Sequence, residues 1–159
     1  MSTIREFDPL RDPESLRACF IELQDFEHGL DPRMPRGEDV AEPYLERMLA
    51  RCECYDGVVL VAEVEGRVAG YVTVWTRYRS GEPDDDPAPH GFVSDLVVLA
   101  KHRGQGIGRA LLRAAEQRSR AAGASLLRLS VKSGNDAALG LYADEGFEES
   151  ERQLEKTLR

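Results

Sequence analysis

Cysteine, tryptophan and positive charge are scarce in this chain, and each scarcity excludes something. Three cysteines among 159 residues exclude a disulfide framework. Cys52 and Cys54 stand at Cys-x-Cys spacing, but no second pair or nearby histidine completes a tetrahedral site, so no metal is expected. Cys19 fits the apolar stripe of a first helix. Lys and Arg number 21 against 29 Asp and Glu, a net charge of −8. That balance argues against nucleic acid as a partner, which calls for a basic stripe, and is compatible with a cationic one. No apolar run approaches the roughly 20 residues of a membrane span, so no membrane partner is expected. The first seven residues lack the apolar stretch of a signal peptide. A cytoplasmic location is therefore the expectation.

What remains is a globular composition. Charged residues at 31% and hydrophobic ones at 42% separate the chain from disordered sequences. The length suits one domain over residues 1–159 with a substantial core. Residues 3–7 alternate as a short strand. Asp12 and Pro13 open a helix, in which Leu16, Cys19, Phe20, Leu23 and Phe26 recur at helical spacing. A second helix begins between Asp39 and Pro43 and presents Tyr44, Leu45, Met48, Leu49 and Cys52. Residues 58–64 and 68–78 form a hairpin about Glu65-Gly66-Arg67. Further on come a strand over 92–99, a helix over 109–122 closed by Gly123, and a strand over 126–131. A helix over 135–144 and a last strand over 147–158 complete the order β-α-α-β-β-β-α-β-α-β, an α/β fold.

The densest signal is Arg103-Gly104-Gln105-Gly106-Ile107-Gly108, set between the apolar strand 92–99 and a helix. A strand, a glycine-rich turn and a helix together hold phosphate. The helix start leaves N–H groups unpaired and carries partial positive charge. Glycines remove the Cβ atoms that would keep an anion away. Gly106 and Gly108 would each cost about 1 kcal/mol relative to alanine inside a helix, so an ordinary helix start does not explain them. The hydrolase-type phosphate loop fails for want of Gly-Lys-Ser/Thr. The dinucleotide fingerprint fails because its third glycine would fall on Arg109 or Leu111.

The spacing that fits is Gln/Arg-x-x-Gly-x-Gly/Ala, filled by Arg103, Gly106 and Gly108. It resembles the acetyl-CoA pyrophosphate loop of the GCN5-related N-acetyltransferases. Upstream, Val93-Ser94-Asp95-Leu96-Val97-Val98 is similar to the central strand of that family. Downstream, Asn135 opens a helix, Tyr142 follows seven residues later, and Gly146-Phe147 closes it, like the second family signature. The resemblance runs from about Gly57 to the C-terminus. It implies a mixed central sheet splayed between its fourth and fifth strands, acetyl-CoA as cosubstrate, and transfer of acetyl to a primary amine, of a small molecule in the first instance. Protein N-termini or lysines, and a non-catalytic acyl-CoA sensor, are the alternatives. Homodimers occur in the family, and a homodimer is compatible with it.

Residue by residue, the resemblance assigns the pyrophosphate to the backbone of Gly104, Gln105, Gly106, Ile107, Gly108 and Arg109, with Arg103 adding charge. Backbone groups of Leu96, Val97 and Val98 would take the pantetheine arm, and the Val98 N–H the oxyanion. Asn135, with Ala138 in the same turn, is both helix cap and cofactor ligand. Tyr142 is the general-acid candidate, since a phenol can return a proton to a departing thiolate. The base is open. Ser94 occupies a position where some relatives carry glutamate but needs help to act. Asp95 is acidic but alternates to the opposite face of a regular strand. His28 and His90 have a suitable intrinsic pKa. Asp25, Glu27, His28, Asp31 and Arg33 are expected on one wall of the acceptor site, and Asp84, Asp85 and Asp86 form a second acidic cluster. Arg33 and Arg36 could instead pair a substrate carboxylate.

Overall fold

A computed structural model describes all 159 residues. Five strands form one sheet in the order β1-β2-β3-β4-β5. They are β1 (Thr3–Glu6), β2 (Gly57–Val64), β3 (Arg67–Tyr78), β4 (His90–Val98) and β5 (Leu127–Leu129). The first four pair antiparallel, and β4 pairs β5 in parallel. Four α-helices cover the sheet: α1 (Pro13–Leu30), α2 (Gly37–Cys54), α3 (Ile107–Ala121) and α4 (Asp136–Asp144). No helix is long and apolar enough to cross a membrane.

The two-residue side-chain period of β2 and β3 divides the core. Leu60, Ala62, Val72 and Val74 face α3 and bury against Ile107, Leu111, Leu112 and Ala115. Val59, Val61 and Tyr71 face α1 and α2 and bury against Leu16, Cys19 and Met48. Full burial of one such aliphatic side chain contributes about 1.5–3 kcal/mol. At the start of α2, a Cβ on Gly37 would stand 2.6 Å from the Ile21 backbone, so the two helices approach as closely as they do because glycine is there. That glycine also starts α2 two residues before Asp39, which leaves Pro43 inside the helix rather than in its first turn.

Two departures from regularity shape the centre. β4 spans nine residues, but β5 pairs only with Gly91, Phe92 and Val93. From Ser94 to Val98 the side of β4 facing β5 is open, which is the splay expected between the fourth and fifth strands. The second departure is a bulge. Thr73 pairs with Asp95 and Val74 with Val93, so Ser94 has no partner on β3.

The strand expected over residues 147–158 does not form. Its sequence alternates poorly: after Phe147, the charged residues Glu148, Glu149, Glu151, Arg152, Glu155 and Lys156 leave only Leu154 and Leu158 apolar, and both are 85% exposed. At three residues, β5 offers little edge to pair with.

Candidate active site

The glycine loop has the backbone that its residues suggest. Gly104 has φ +75° and Gly106 φ +79°, a left-handed conformation that costs other residues about 1–2 kcal/mol. Gly106 is the N-cap of α3, and the first helical bond runs from the Ala110 N–H to the Gly106 carbonyl at 3.0 Å. The N–H groups of Ile107, Gly108 and Arg109 therefore have no partner within the helix. A Cβ on Gly104 or Gly106 would meet no atom within 4 Å. Open space over unpaired donors fits a pyrophosphate. Gly108 is packed instead, its missing Cβ lying 3.4 Å from Leu141 Cδ2. The Ile107 side chain belongs to the core, and the exposed Arg109 side chain pairs with Asp144 and Glu145 at the end of α4.

Beside this loop lies the open edge of β4. The Leu99 N–H bonds to the Ala69 carbonyl at 2.8 Å, so odd-numbered backbone groups in this stretch face β3. Leu96 and Val98 consequently turn their N–H and C=O groups into the splay, whereas Val97 turns toward Tyr71 and buries its side chain under α1 and α2. Of the three residues expected to receive the pantetheine arm, two turn their backbone into the splay. Arg103 does not reach toward the loop's open space. Its Nε donates to the Val98 carbonyl at 2.9 Å, and its Nη2 lies 3.3 Å from Glu22.

Tyr142 packs its ring on Phe147, 5.7 Å between centroids, and both lie against the α3 side of the core. Burial pushes its hydroxyl up to about 12, so it holds its proton at neutral pH. Asn135 caps α4, its Oδ1 accepting from the Ala138 N–H at 3.2 Å. That amide is thus committed to the cap.

The bulge corrects one expectation of the sequence. With Ser94 as the extra residue, the alternation restarts, and Ser94 and Asp95 both serve the α2 side of the sheet. Ser94 lines a cavity of about 200 Å3 with Tyr44, Arg47, Met48, Arg51, Trp75 and Phe92. Asp95 lies behind that wall, 4% exposed. Its carboxylate accepts from the Tyr44 hydroxyl and, at 2.9 Å, from the Tyr71 hydroxyl. Burial raises the Asp95 pKa against the opposing pull of the Tyr44, Tyr71 and Ser94 hydroxyls. Asp95 therefore reaches the cavity through Tyr44 and Ser94, and the Tyr44 pKa is itself raised by burial and by the neighbouring carboxylate.

Most of the other polar candidates are engaged elsewhere; Glu27 is not, and burial, with the nearby Asp95 carboxylate, raises its pKa. His90 is 5% exposed, edge-on to Tyr78, and burial lowers its pKa. His28 Nδ1 lies against the Met34 carbonyl. Asp25 accepts from the Gly37 N–H at the start of α2. Arg33 is bound by Asp31 and Glu155. Asp84, Asp85 and Asp86 lie on an exposed loop. Tyr44, Arg47, Arg51 and Trp75 were not singled out for the site by the sequence. Only the i, i+4 spacing of Arg47 and Arg51 on one helix could have pointed to them.

A strand-edge splay beside a glycine-capped helix defines a class, and the sequence profile of the acetyltransferase (GNAT) family matches residues 21–147. The chain belongs to that family. Over 98 residues it is 33% identical to an N-alpha-acetyltransferase of Sulfurisphaera tokodaii, a stretch covering 60% of this chain and 59% of that protein. Over 68 residues it is 41% identical to an aminoalkylphosphonate N-acetyltransferase of Salmonella typhimurium, covering 43% of this chain and 44% of the other. The matches thus span about half the length of each relative. Among solved structures, a variant of the BH1408 protein of Bacillus halodurans has the same fold, with a TM-score of 0.85 at 22% identity over 99% of both chains.

Proposed function

We propose that this chain is an acetyl-CoA-dependent N-acetyltransferase that acetylates the primary amine of a small molecule by direct attack on the thioester. The observation that carries this reading is the double position of Ser94. It is the first residue of β4 beyond the pairing with β5, and it lines the cavity on the α2 side. Cosubstrate and amine can therefore meet across one strand from opposite faces of the sheet.

Acetyl-CoA supplies an acyl group activated as a thioester. The N–H groups opening α3 hold its pyrophosphate, and the Leu96 and Val98 backbone extends the sheet toward its pantetheine arm. The Val98 N–H stabilises negative charge on the carbonyl oxygen. Arg103 leaves the Val98 carbonyl to make that edge available. Tyr142 gives a proton to the departing sulfur, the attacking nitrogen releases its surplus proton to water, and water restores the proton of Tyr142. Burial raises the basicity of that sulfur as it raises the Tyr142 pKa, so the two stay matched. On the amine side, Tyr44 commits its own hydrogen to Asp95 and leaves its oxygen lone pairs to accept from the amine. Asp95 positions Tyr44 and places negative charge behind it.

A cavity of about 200 Å3 is smaller than the roughly 300–1,000 Å3 that holds drug-sized ligands, which supports a small acceptor. A relative named for aminoalkylphosphonates agrees with this. The relative named an N-alpha-acetyltransferase favours a second reading, acetylation of a protein N-terminus. A panel of small primary amines and N-terminal peptides, with acetyl-CoA and detection of released thiol, separates the two. Thiol release with small amines supports the proposal, and release with peptides alone overturns it.

A further inference from the structure

The acceptor cavity is chemically two-ended. On one side stand donors. Arg47 and Arg51 are one helical turn apart on α2, so both side chains leave the same face. Neither has a carboxylate within ion-pair distance, although acids outnumber bases in this chain 29 to 21. By contrast Arg17 is paired with Glu42, and Arg33 with Asp31 and Glu155. The Arg51 guanidinium lies over the Trp75 ring, 5.5 Å from its centroid, which fixes the charge above an aromatic floor. Trp75 itself is 6% exposed, and its Nε1–H has no partner. An indole N–H can only donate, so the partner it lacks is an acceptor. Two unpaired guanidinium groups along one cavity call for one ligand chemistry, a group bearing several acceptor oxygens and negative charge.

On the other side stand acceptors. The Tyr44 hydroxyl donates to Asp95, so the lone pairs of its oxygen are what it offers the cavity. Ser94 lines the cavity at the point where the splay opens, and its hydroxyl oxygen has lone pairs to offer. These atoms suit an amine N–H, with the Asp95 carboxylate behind them.

We propose that the acceptor carries an anionic group, a carboxylate or a phosphonate, beside its amine, and that Arg47 and Arg51 bind that group. This assignment rests on the reading of the chain as an amine acetyltransferase. The anion fixes the substrate at the α2 wall and turns the amine toward Ser94 and the thioester, so Arg47 and Arg51 determine specificity without taking part in the chemistry.

The test uses matched amines: one with a carboxylate, one with a phosphonate, the primary amide of the carboxylate, and the amine lacking the group. Each is assayed at saturating acetyl-CoA with wild type, Arg47→Gln, Arg51→Gln and the double variant. Arg120→Gln serves as a control, because Arg120 lies on α3 and is paired with Glu116. The expected result is a wild-type preference for the anionic amines in kcat/KM, expressed in KM. That preference should fall by about tenfold in each single variant, as loss of a charge-assisted bond predicts, and vanish in the double. The larger wild-type ratio tells carboxylate from phosphonate. Equal preference in wild type and double variant, or a wild-type preference for the neutral amines, overturns the assignment. Calorimetric binding of the same amines to the CoA-bound protein keeps the two readings apart. If no amine is acetylated but anionic amines bind and the double variant loses them, the anion site stands and the enzymatic reading fails. If neither turnover nor binding discriminates, the anion site fails.

Discussion

The Tyr71 hydroxyl donates a 2.9 Å hydrogen bond to Asp95 from the strand next door, and with Tyr44 it occupies both carboxylate oxygens. The pair sits 4% or less exposed in the middle of the sheet. Because burial is the dominant influence, the Asp95 pKa in the folded chain lies above its value of 3.8 in the unfolded chain. The folded chain then binds this proton more tightly. Its contribution to stability is fully present below the unfolded value and is lost as pH rises through the folded one. Asp95→Asn removes that dependence. Whatever baseline change the amide brings, the variant should gain stability relative to wild type as pH rises from about 4, the unfolded carboxylate value, toward neutrality. Urea unfolding across that range checks it. A wild type that gains on the variant as pH rises would contradict the burial argument.

Tyr44→Phe keeps the ring stacked on Phe20, 4.3 Å between centroids, and deletes one donor to Asp95. A buried acceptor left unmatched costs about 1–3 kcal/mol, which in a chain of this size lowers Tm by about 2–12 °C. The same change should raise KM for the amine and leave acetyl-CoA affinity within about threefold, because Tyr44 lies on the acceptor side alone.

Tyr142→Phe preserves the packing on Phe147 and removes only the proton. Turnover should fall by about a hundredfold, the usual scale for a lost general acid, with acetyl-CoA affinity changed by less. Unchanged turnover would reduce Tyr142 to a packed aromatic.

Gly106→Val combines two effects. At φ +79° any side chain is strained, and a branched one occupies the space from which the phosphate approaches. Acetyl-CoA affinity should drop by more than tenfold, while backbone strain lowers stability by about 1–2 kcal/mol. Gly123→Val separates the two. Gly123 has φ +86° but sits past the other end of α3, so it should bring the strain without the loss of affinity. Calorimetric titration of both variants with acetyl-CoA decides the point.

The glycine loop and the cap of α4 were legible in the sequence because their information is local. Gly104, Gly106 and Asn135 act through turns and caps whose geometry depends on a few adjacent residues. The acceptor side was not. Ser94 and Asp95 come to share one face through a bulge that appears only when β4 is laid against β3. Tyr44 and Tyr71 become partners of Asp95 from residues 51 and 24 positions away. Two acids of the wall read from the first helices and their connecting loop were likewise spent on structure, with Asp25 capping α2 and Asp31 engaging Arg33. The expected last strand failed for a different reason: residue alternation was weak, and the edge it needed is three residues long.

The most direct test of the account is thermal unfolding with saturating acetyl-CoA, run beside CoA, NADH and ATP. A ligand at 100 times its dissociation constant stabilises the folded chain by about 2.7 kcal/mol. The account predicts a clear rise in Tm with acetyl-CoA and with CoA, and none of comparable size with NADH or ATP. No shift with CoA, or a larger one with NADH or ATP, would contradict the assignment of the glycine loop and the β4 splay to acetyl-CoA, and with it the proposed reaction.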